Sequence, residues 1–562
     1  MKLYSSLPRS EQQSVFQPAL AGTIKVVLAT NIAETSVTIP DVTHVIDTGR
    51  VKESRFNSAS RIKELVTVWT SQASLKQRAG RAGRTSSGVC WRLFSNEFYE
   101  RLIPQTAPEM TRTPLDELIL QICLLYEQRR DEHRAKTASS GDGDQNNTAT
   151  FPPGVRPIQF LSKTPSPPPQ SSLLEGCRHL LEVNALRIVD FGRTGEDEES
   201  RLYRLTPLGY HLSRLPMDAK VGKILIIGCI LGCLDGALTV AAALSCTKSC
   251  FFSFGGPASN RSPDQDAALQ ARASLVENGF GGRDWMGGTV KGDLIATIAV
   301  YRAWKKQKSE KKCWEFCKSH ALDHLTLKEM DQLRNQFLDL LADAGFIARN
   351  SSNVGSQSLD LDECNQASED ALLTSCCLVG GLYPNICTLM RPRKGGPKGG
   401  RLLTKEGEVC RPQSNSFQRK RVQEAAEIGK DAYAVFHSKQ KIIGTAATSP
   451  ASSGIQRPPE VFLTEVNFVS RFALLLFGGN LRIVKNAIIV DDWLKFKVSS
   501  DDKKGAAVID NAILILALRE ALDEVVLEHV LETSCSPEKK EAMMERHKAV
   551  IQVVRKLLSE EG

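Results

Sequence analysis

The chain has 562 residues, of which 41% are hydrophobic and 24% charged; this is globular composition over too great a length for one core, so roughly three to five domains are expected. Lysine and arginine exceed aspartate and glutamate by 72 to 64, a net charge of +8 that permits a polyanionic partner without requiring one. Fifteen cysteines at this length argue against a disulfide framework; with no secretory leader in the first residues, reduced thiols in a cytoplasmic protein are expected, the nucleus or an organelle being the alternative.

Residues 1–113 read as an α/β unit, and its sparse opening strands suggest a domain truncated at its N-terminus. Ile24 to Ala29 is a continuous apolar run, the pattern of a buried parallel strand. The segment that follows, Ala29 to Ile39, carries Thr30, Asn31, Thr35 and Ser36. It projects polar groups from the strand's carboxyl end, where α/β sheets bind ligands; alone, it also fits a plain strand-to-helix turn. A second strand end is expected at His44–Asp47, and the charged stretch from Val51 to Trp69 is long enough for a hairpin. Then comes Gln77-Arg78-Ala79-Gly80-Arg81-Ala82-Gly83-Arg84. Arg81 and Arg84, three positions apart with a glycine before each, can present two guanidinium forks from one short helical edge. A guanidinium is always charged and binds phosphoryl oxygens bidentately, which suits charge stabilisation during phosphoryl transfer. The competing reading is a basic surface helix.

From Pro114 the pattern turns helical, with Leu115, Leu118, Ile119, Ile122 and Leu125 at helix spacing. This second region, 114–215, is expected to contain a disordered insertion over 127–157, where apolar residues are few. Region 216–350 reads as mostly helical. Its longest apolar run, Val221 to Cys246, is cut at Asp235-Gly236 into pieces too short for a bilayer, so two buried helices and no membrane partner are expected. Cys313, Cys317, His320 and His324 offer metal-ligand types, but on one straight helix they would spread over about 16 Å, too far apart for one tetrahedral ion. A partly buried helical stripe and no metal site are expected there, and Cys229/Cys233 and Cys246/Cys250 read the same way. Residues 351–370 read as a linker or insertion. Short β-like runs over 371–498, such as Tyr433–Phe436 and Val461–Val466, suggest a compact barrel. The basic clusters at Arg391–Arg401 and Arg419–Arg421 read as solvated loops, with phosphate contact on the barrel as the alternative. Residues 499–562 form a helical extension: Ser536 can cap its last helix, and Val550, Val553, Val554 and Leu557 line one face.

Taken together, Ala29–Ile39 and Gln77–Arg84 resemble motifs V and VI of the DEAH/RHA-type (DExH-box) superfamily-2 ATP-dependent RNA helicases, in the right order. The likeness extends to Leu3–Leu7, Glu11–Gln13 and Val15-Phe16 ahead of motif V. Leu205–Gly209 resembles the family's winged helix and His211–Asp235 the start of its helical ratchet domain. Leu378–Asn385 and Ala473–Gly479 resemble its OB-fold region. Thr38–Val42 and Val45–Arg50 look most like a eukaryotic branch that includes a translation-initiation helicase acting on the small ribosomal subunit. The resemblance implies a multidomain α/β + α architecture: a second RecA-like domain, a winged helix, a ratchet domain and an OB-fold β-barrel. It implies that Gln77, Arg81 and Arg84 reach the ATP γ-phosphate and its attacking water, that Phe16 stacks on adenine, and that Thr30, Asn31 and Thr35 touch RNA while Ser36 couples nucleotide to RNA.

The cofactor implied is ATP with Mg²⁺. No GxxxxGK[ST] loop occurs in the sequence, so phosphate cradling and Mg²⁺ ligation are expected in a first RecA-like domain outside this chain. Asp131-Glu132-His133 echoes a DEAH box but follows no apolar strand, and is given no Mg²⁺ role. The chain therefore reads as the C-terminal half of an ATP-dependent RNA helicase, incapable of hydrolysis alone. The rival reading is a non-catalytic RNA- or ribosome-binding adaptor.

Overall fold

The computed structural model describes residues 1–3, 15–18, 22–35, 39, 41–57, 61–84, 87–139, 152–189, 198, 201–246, 248–252, 262–280, 292–350, 358–390, 400–428, 431–442, 460–484, 487–497, 506–531 and 537–560. The N-terminal unit has two parallel strand pairs. In the first, β1 (Lys2–Leu3) lies beside β2 (Leu28–Ala29), which leads into α1 (Ile32–Thr35). In the second, β3 (His44–Asp47) pairs with a strand introduced below. Between these run β4 (Arg50–Asn57) and β5 (Ile62–Trp69), a hairpin in register from Arg50↔Trp69 to Asn57↔Ile62. After it come α2 (Gln72–Ala79), β6 (Val89–Arg92) and α3 (Asn96–Glu100).

β6 is the partner of β3, placing Val45 beside Cys90 and Ile46 beside Trp91. The face carrying Val45 and Asp47 turns inward, whereas Ile46 and Trp91 are 69% and 58% exposed. The buried strand expected at 24–29 is likewise open on one side. Only its last two residues are strand, and Ile24, Val26 and Leu28 are 92%, 60% and 67% exposed. An apolar parallel strand is buried only if a layer covers each face, and no described element covers this one.

The next region contains α4 (Asp116–Ser139), α5 (Pro157–Leu161), α6 (Gln170–Glu182), the hairpin β7 (Leu186–Ile188) and β8 (Tyr203–Leu205), and α7 (Pro207–Arg214). The disordered insertion expected over 127–157 is corrected at both ends. Helix α4 continues through residue 139, and Glu127 is buried and paired with Arg204 at 2.8 Å and Arg130 at 3.1 Å. Val155 bridges to Tyr203, and Pro157 opens α5. Polar composition here marks the exposed sides of a helix; residues 140–151 lie outside the described residues.

The largest core belongs to α8 (Ala219–Ile230), α9 (Leu234–Ser245), α10 (Pro263–Glu277), α11 (Asp293–Lys305), α12 (Glu310–Ser319) and α13 (His324–Asp343), followed by the pair β9 (Ala348–Asn350) and β10 (Ser358–Asp360), and by α14 (Ala371–Leu382). α8 and α9 are the two buried helices expected from Val221–Cys246, but the turn falls at Gly232 (φ 70°) rather than at Asp235-Gly236. Asp235 instead lies in the first turn of α9, held by Arg302 at 2.8 Å and Arg334 at 2.6 Å. The single helix expected for Cys313, Cys317, His320 and His324 is also corrected: α12 ends at residue 319, Ala321 takes φ 51°, and His324 begins α13. Cys229/Cys233 and Cys246/Cys250 straddle helix ends in the same way.

The C-terminal sheet contains β11 (Ile386–Met390), β12 (Arg401–Thr404), β13 (Val409–Pro412), β14 (Tyr433–Val435), β15 (Ser438–Ile442), β16 (Glu460–Thr464) and β17 (Asn467–Val469), with α15 (Gln418–Ile428) packed on it. Its order, β17-β14-β11-β12-β13-β16-β15, continues into β5 and β4, because β15 pairs in parallel with β5 from Lys439↔Ile62 to Lys441↔Glu64. Arg419-Lys420-Arg421 lies on α15, not in a solvated loop, with Arg421 over the Phe468 ring. Residues 391–399 are outside the described set. Beyond α16 (Arg471–Phe477), a meander of β18 (Leu481–Val484), β19 (Ala487–Val490) and β20 (Leu494–Lys497) precedes α17 (Ala506–Leu531) and α18 (Pro537–Glu560). On α18, Val554 is buried but Val553 is 54% exposed, so Val553 leaves the expected stripe. Among the described residues no helix is long and apolar enough to cross a membrane.

Candidate nucleotide-facing site

Helix α2 begins at Ser71, whose hydroxyl accepts the Ser74 N–H at 3.3 Å, an N-cap of the usual kind. It ends at Gly80, whose N–H reaches Lys76 O at 3.0 Å. Buried Leu75 and Ala82, seven residues apart, anchor both ends against the unit's interior. On the remaining sides Gln77 and Arg84 are exposed and Arg81 is half-buried. The expected trio therefore clusters at the C-terminal end of one short helix and the turn after it.

Arg78 occupies a different environment. Its Nε donates to Glu34 Oε2 at 2.9 Å, and its Nη1 donates to Asp47 Oδ1 at 3.1 Å and to Arg50 O at 3.2 Å. Asp47 also accepts the Gly49 N–H at 2.9 Å, fixing the turn from β3 to β4 where Gly49 takes φ +69°. Arg81 Nη2 donates to the backbone oxygen of Glu34. Glu34 thus joins the two sequence segments singled out above, through Arg78 by its side chain and through Arg81 by its backbone. Sequence reasoning gave neither Glu34 nor Asp47 a role: they lie 44 and 31 residues from Arg78, at spacings that carry no local signal.

Burial pulls the Arg81 guanidinium below its ordinary pKa, and the positive charge of Arg84 adds to this, with Glu34 opposing. Arginine remains charged in any case; burial is the larger cause of the lowering, and repulsion from the neighbouring Arg84 cation is the second. An anion with oxygens for both guanidiniums relieves that repulsion.

Thr30 and Asn31 sit exposed where β2 gives way to α1. The Thr30 N–H continues the β1–β2 ladder to Leu3 O at 3.1 Å, and Thr30 O accepts the Ala33 N–H at 3.3 Å. Thr35 is the last residue of α1, and Ser36 lies outside the described residues. Phe16 is 40% exposed beside buried Val15. Among the described residues no group of histidine, cysteine and carboxylate side chains can hold a metal ion. The guanidinium and amide donors fit phosphoryl oxygens, not magnesium.

Two family models match the chain. The helicase conserved C-terminal domain matches residues 1–86, and the ratchet-like helicase associated domain (HA2) matches residues 218–327. The chain is similar to the DExH-box ATP-dependent RNA helicase DExH1 of Arabidopsis thaliana, 32% identical over 489 residues, covering 86% of this chain and 39% of that protein. It is similar to DHX57 of Mus musculus, 30% identical over 561 residues, 94% of this chain and 34% of that protein. It is also similar to the ATP-dependent DNA/RNA helicase DHX36 of Bos taurus, 28% identical over 501 residues, 88% of this chain and 41% of that protein. The chain therefore spans well under half the length of these curated relatives.

Proposed function

We propose that the chain, as a member of the DEAH/DExH-box RNA helicases of superfamily 2, acts as the C-terminal half of an ATP-dependent RNA helicase. In this reading it supplies arginine fingers and RNA-guiding domains for ATP-driven RNA remodelling. The observation that carries the reading is the cluster of Gln77, Arg81 and Arg84 at the end of α2, braced by the Arg78–Glu34–Asp47 network. Charge builds on the γ-phosphoryl oxygens during transfer, and two adjacent guanidiniums stabilise it while the Gln77 amide orients water. The phosphate loop and Mg²⁺ ligands belong to a first RecA-like domain supplied with ATP from elsewhere.

Thr30, Asn31 and Thr35 contact the RNA backbone in this reading, Ser36 couples that grip to the nucleotide, and Phe16 stacks on adenine. The region from α4 to α7 with β7–β8 serves as a winged helix, and the curled sheet from β11 to β17 as an OB-fold. The small ribosomal subunit is the partner toward which Thr38–Val42 and Val45–Arg50 direct the reading, with action in the cytoplasm. An adaptor without catalysis ranks second, because it has no use for paired guanidiniums. The test joins this chain to the N-terminal part of a relative and measures RNA-stimulated ATP hydrolysis beside the chain alone. The joined protein is expected to turn over and lose activity with Arg84→Ala, while the chain alone is inactive. RNA binding without any turnover in the joined protein would leave the adaptor standing instead.

A further inference from the structure

Six lysines crowd residues 305–318, against two glutamates. Lys305 is held by Asp331 at 2.6 Å, and Glu310 by Lys328 at 3.1 Å. The other five, Lys306, Lys308, Lys311, Lys312 and Lys318, are exposed and form no ion pair among the described residues. Such a charge run on its own is an ordinary solvated face. What sets this one apart is Trp314, 51% exposed in the middle of it.

On α12, Lys311, Trp314 and Lys318 stand at i, i+3 and i+7 and share one side of the helix, with Glu315 beside them. The side carrying Cys313, Phe316 and Cys317 packs into the helical core. The Trp314 ring rests on His324 at a centroid distance of 4.7 Å. His324 is 3% exposed and is fixed in turn by the Trp304 indole N–H, which donates to its Nδ1 at 3.1 Å. The indole is therefore backed by a buried, hydrogen-bonded ring and presents its remaining surface to solvent between unpaired ammonium groups. A flat, pre-positioned aromatic surface flanked by cations is what a nucleobase and its flanking phosphates require. An acidic peptide would use the lysines but leave the ring without a stacking partner.

We propose that α12 forms an accessory single-stranded-RNA contact, with Trp314 stacking on a base and Lys311 and Lys318 on the adjoining phosphates. This rests on the RNA-directed reading above, extending it to a surface outside the N-terminal unit. Binding of a fluorescent oligouridylate to the full chain, measured by anisotropy over a salt series, tests it. Substituting Lys311 and Lys318 together by Gln is expected to weaken binding and to flatten the log Kd against log salt slope by about 1.4, as loss of two single-strand phosphate contacts dictates. Trp314→Ala is expected to weaken binding about tenfold, and Trp314→Phe to restore most of it. All of these side chains are exposed, and thermal melts of each variant verify folding.

If the unaltered chain binds RNA and every variant keeps its affinity and slope, this contact is overturned while the RNA-directed reading stands. If the unaltered chain binds no RNA at low salt, both fall. If polyglutamate competes as well as oligouridylate, and Trp314→Ala changes neither, the patch belongs to an acidic protein and the proposal is wrong.

Discussion

Arg78, Arg81 and Arg84 share one octet yet differ in what surrounds them. Arg78 is spent on Glu34, Asp47 and the Arg50 carbonyl. Arg78→Ala would leave two carboxylates without their cation, one of them, Asp47, 4% exposed. Removing one partner of such a pair costs about 3 kcal/mol, so this variant should lower the chain's unfolding midpoint in urea; an unchanged midpoint contradicts that role. In the assembled helicase, Arg81→Ala and Arg84→Ala should instead cut single-turnover ATP hydrolysis by about 10³-fold or more with nucleotide affinity little changed. Arg84→Lys should already be severely impaired, since it keeps the charge and loses the planar fork. Normal hydrolysis at saturating ATP in the two alanine variants would remove the finger assignment. The octet was legible in sequence because its chemistry is local: two guanidiniums, two glycines, one amide. Its support was not, because Glu34 and Asp47 reach Arg78 only through tertiary structure.

At the scale of elements, α4 shows what patterning reveals and what it hides. Apolar residues at helix spacing marked its first three turns, but its polar continuation past Glu127 looked like disorder. Only the ion pairs to Arg130 and Arg204 show otherwise. The start of α4 carries a second feature that sequence did not signal. Asp116 accepts from Arg61, at the hairpin tip, at 2.9 Å and meets His179 Nδ1 of α6 at 3.2 Å. Burial alone would raise the Asp116 carboxyl, but His179 and Arg61 outweigh it and hold it well below the usual carboxylate range. Burial, followed by the nearby Lys220 charge, pushes His179 down to about 4.

The fold thus favours a neutral imidazole at position 179. Its contribution is complete above the unfolded histidine pKa of about 6.5 and is lost as pH falls toward 4, amounting to about 3 kcal/mol. Urea midpoints should therefore drop between pH 6.5 and pH 4, and His179→Gln should flatten that part of the profile. A wild-type midpoint that is level across this window would show that the imidazole is not sequestered.

For the whole molecule, the long helices were readable from periodicity, whereas the connections between regions were not. Helices α8 and α9 could be recognised from unbroken apolar runs. The strands of the C-terminal sheet, three to five residues each, were too short to fix their neighbours. Least predictable was the passage of one sheet from the N-terminal unit into the C-terminal one. Nothing in Val51–Trp69 announces that its second strand will meet Lys439–Lys441, about 380 residues later.

That shared sheet bears on how the chain can be divided. A cut near residue 113, the boundary that composition suggests, would part β5 from β15 and leave each with a row of unanswered amide and carbonyl groups. Open edges of this sort recruit strands from other molecules. A fragment of residues 1–113 and one of residues 371–498 should accordingly self-associate when made separately and become monodisperse when mixed, each capping the other. Sedimentation velocity on the fragments, alone and together, measures this. Two well-behaved monomers that ignore one another would mean the ladder from Lys439↔Ile62 to Lys441↔Glu64 is too weak to act as a seam.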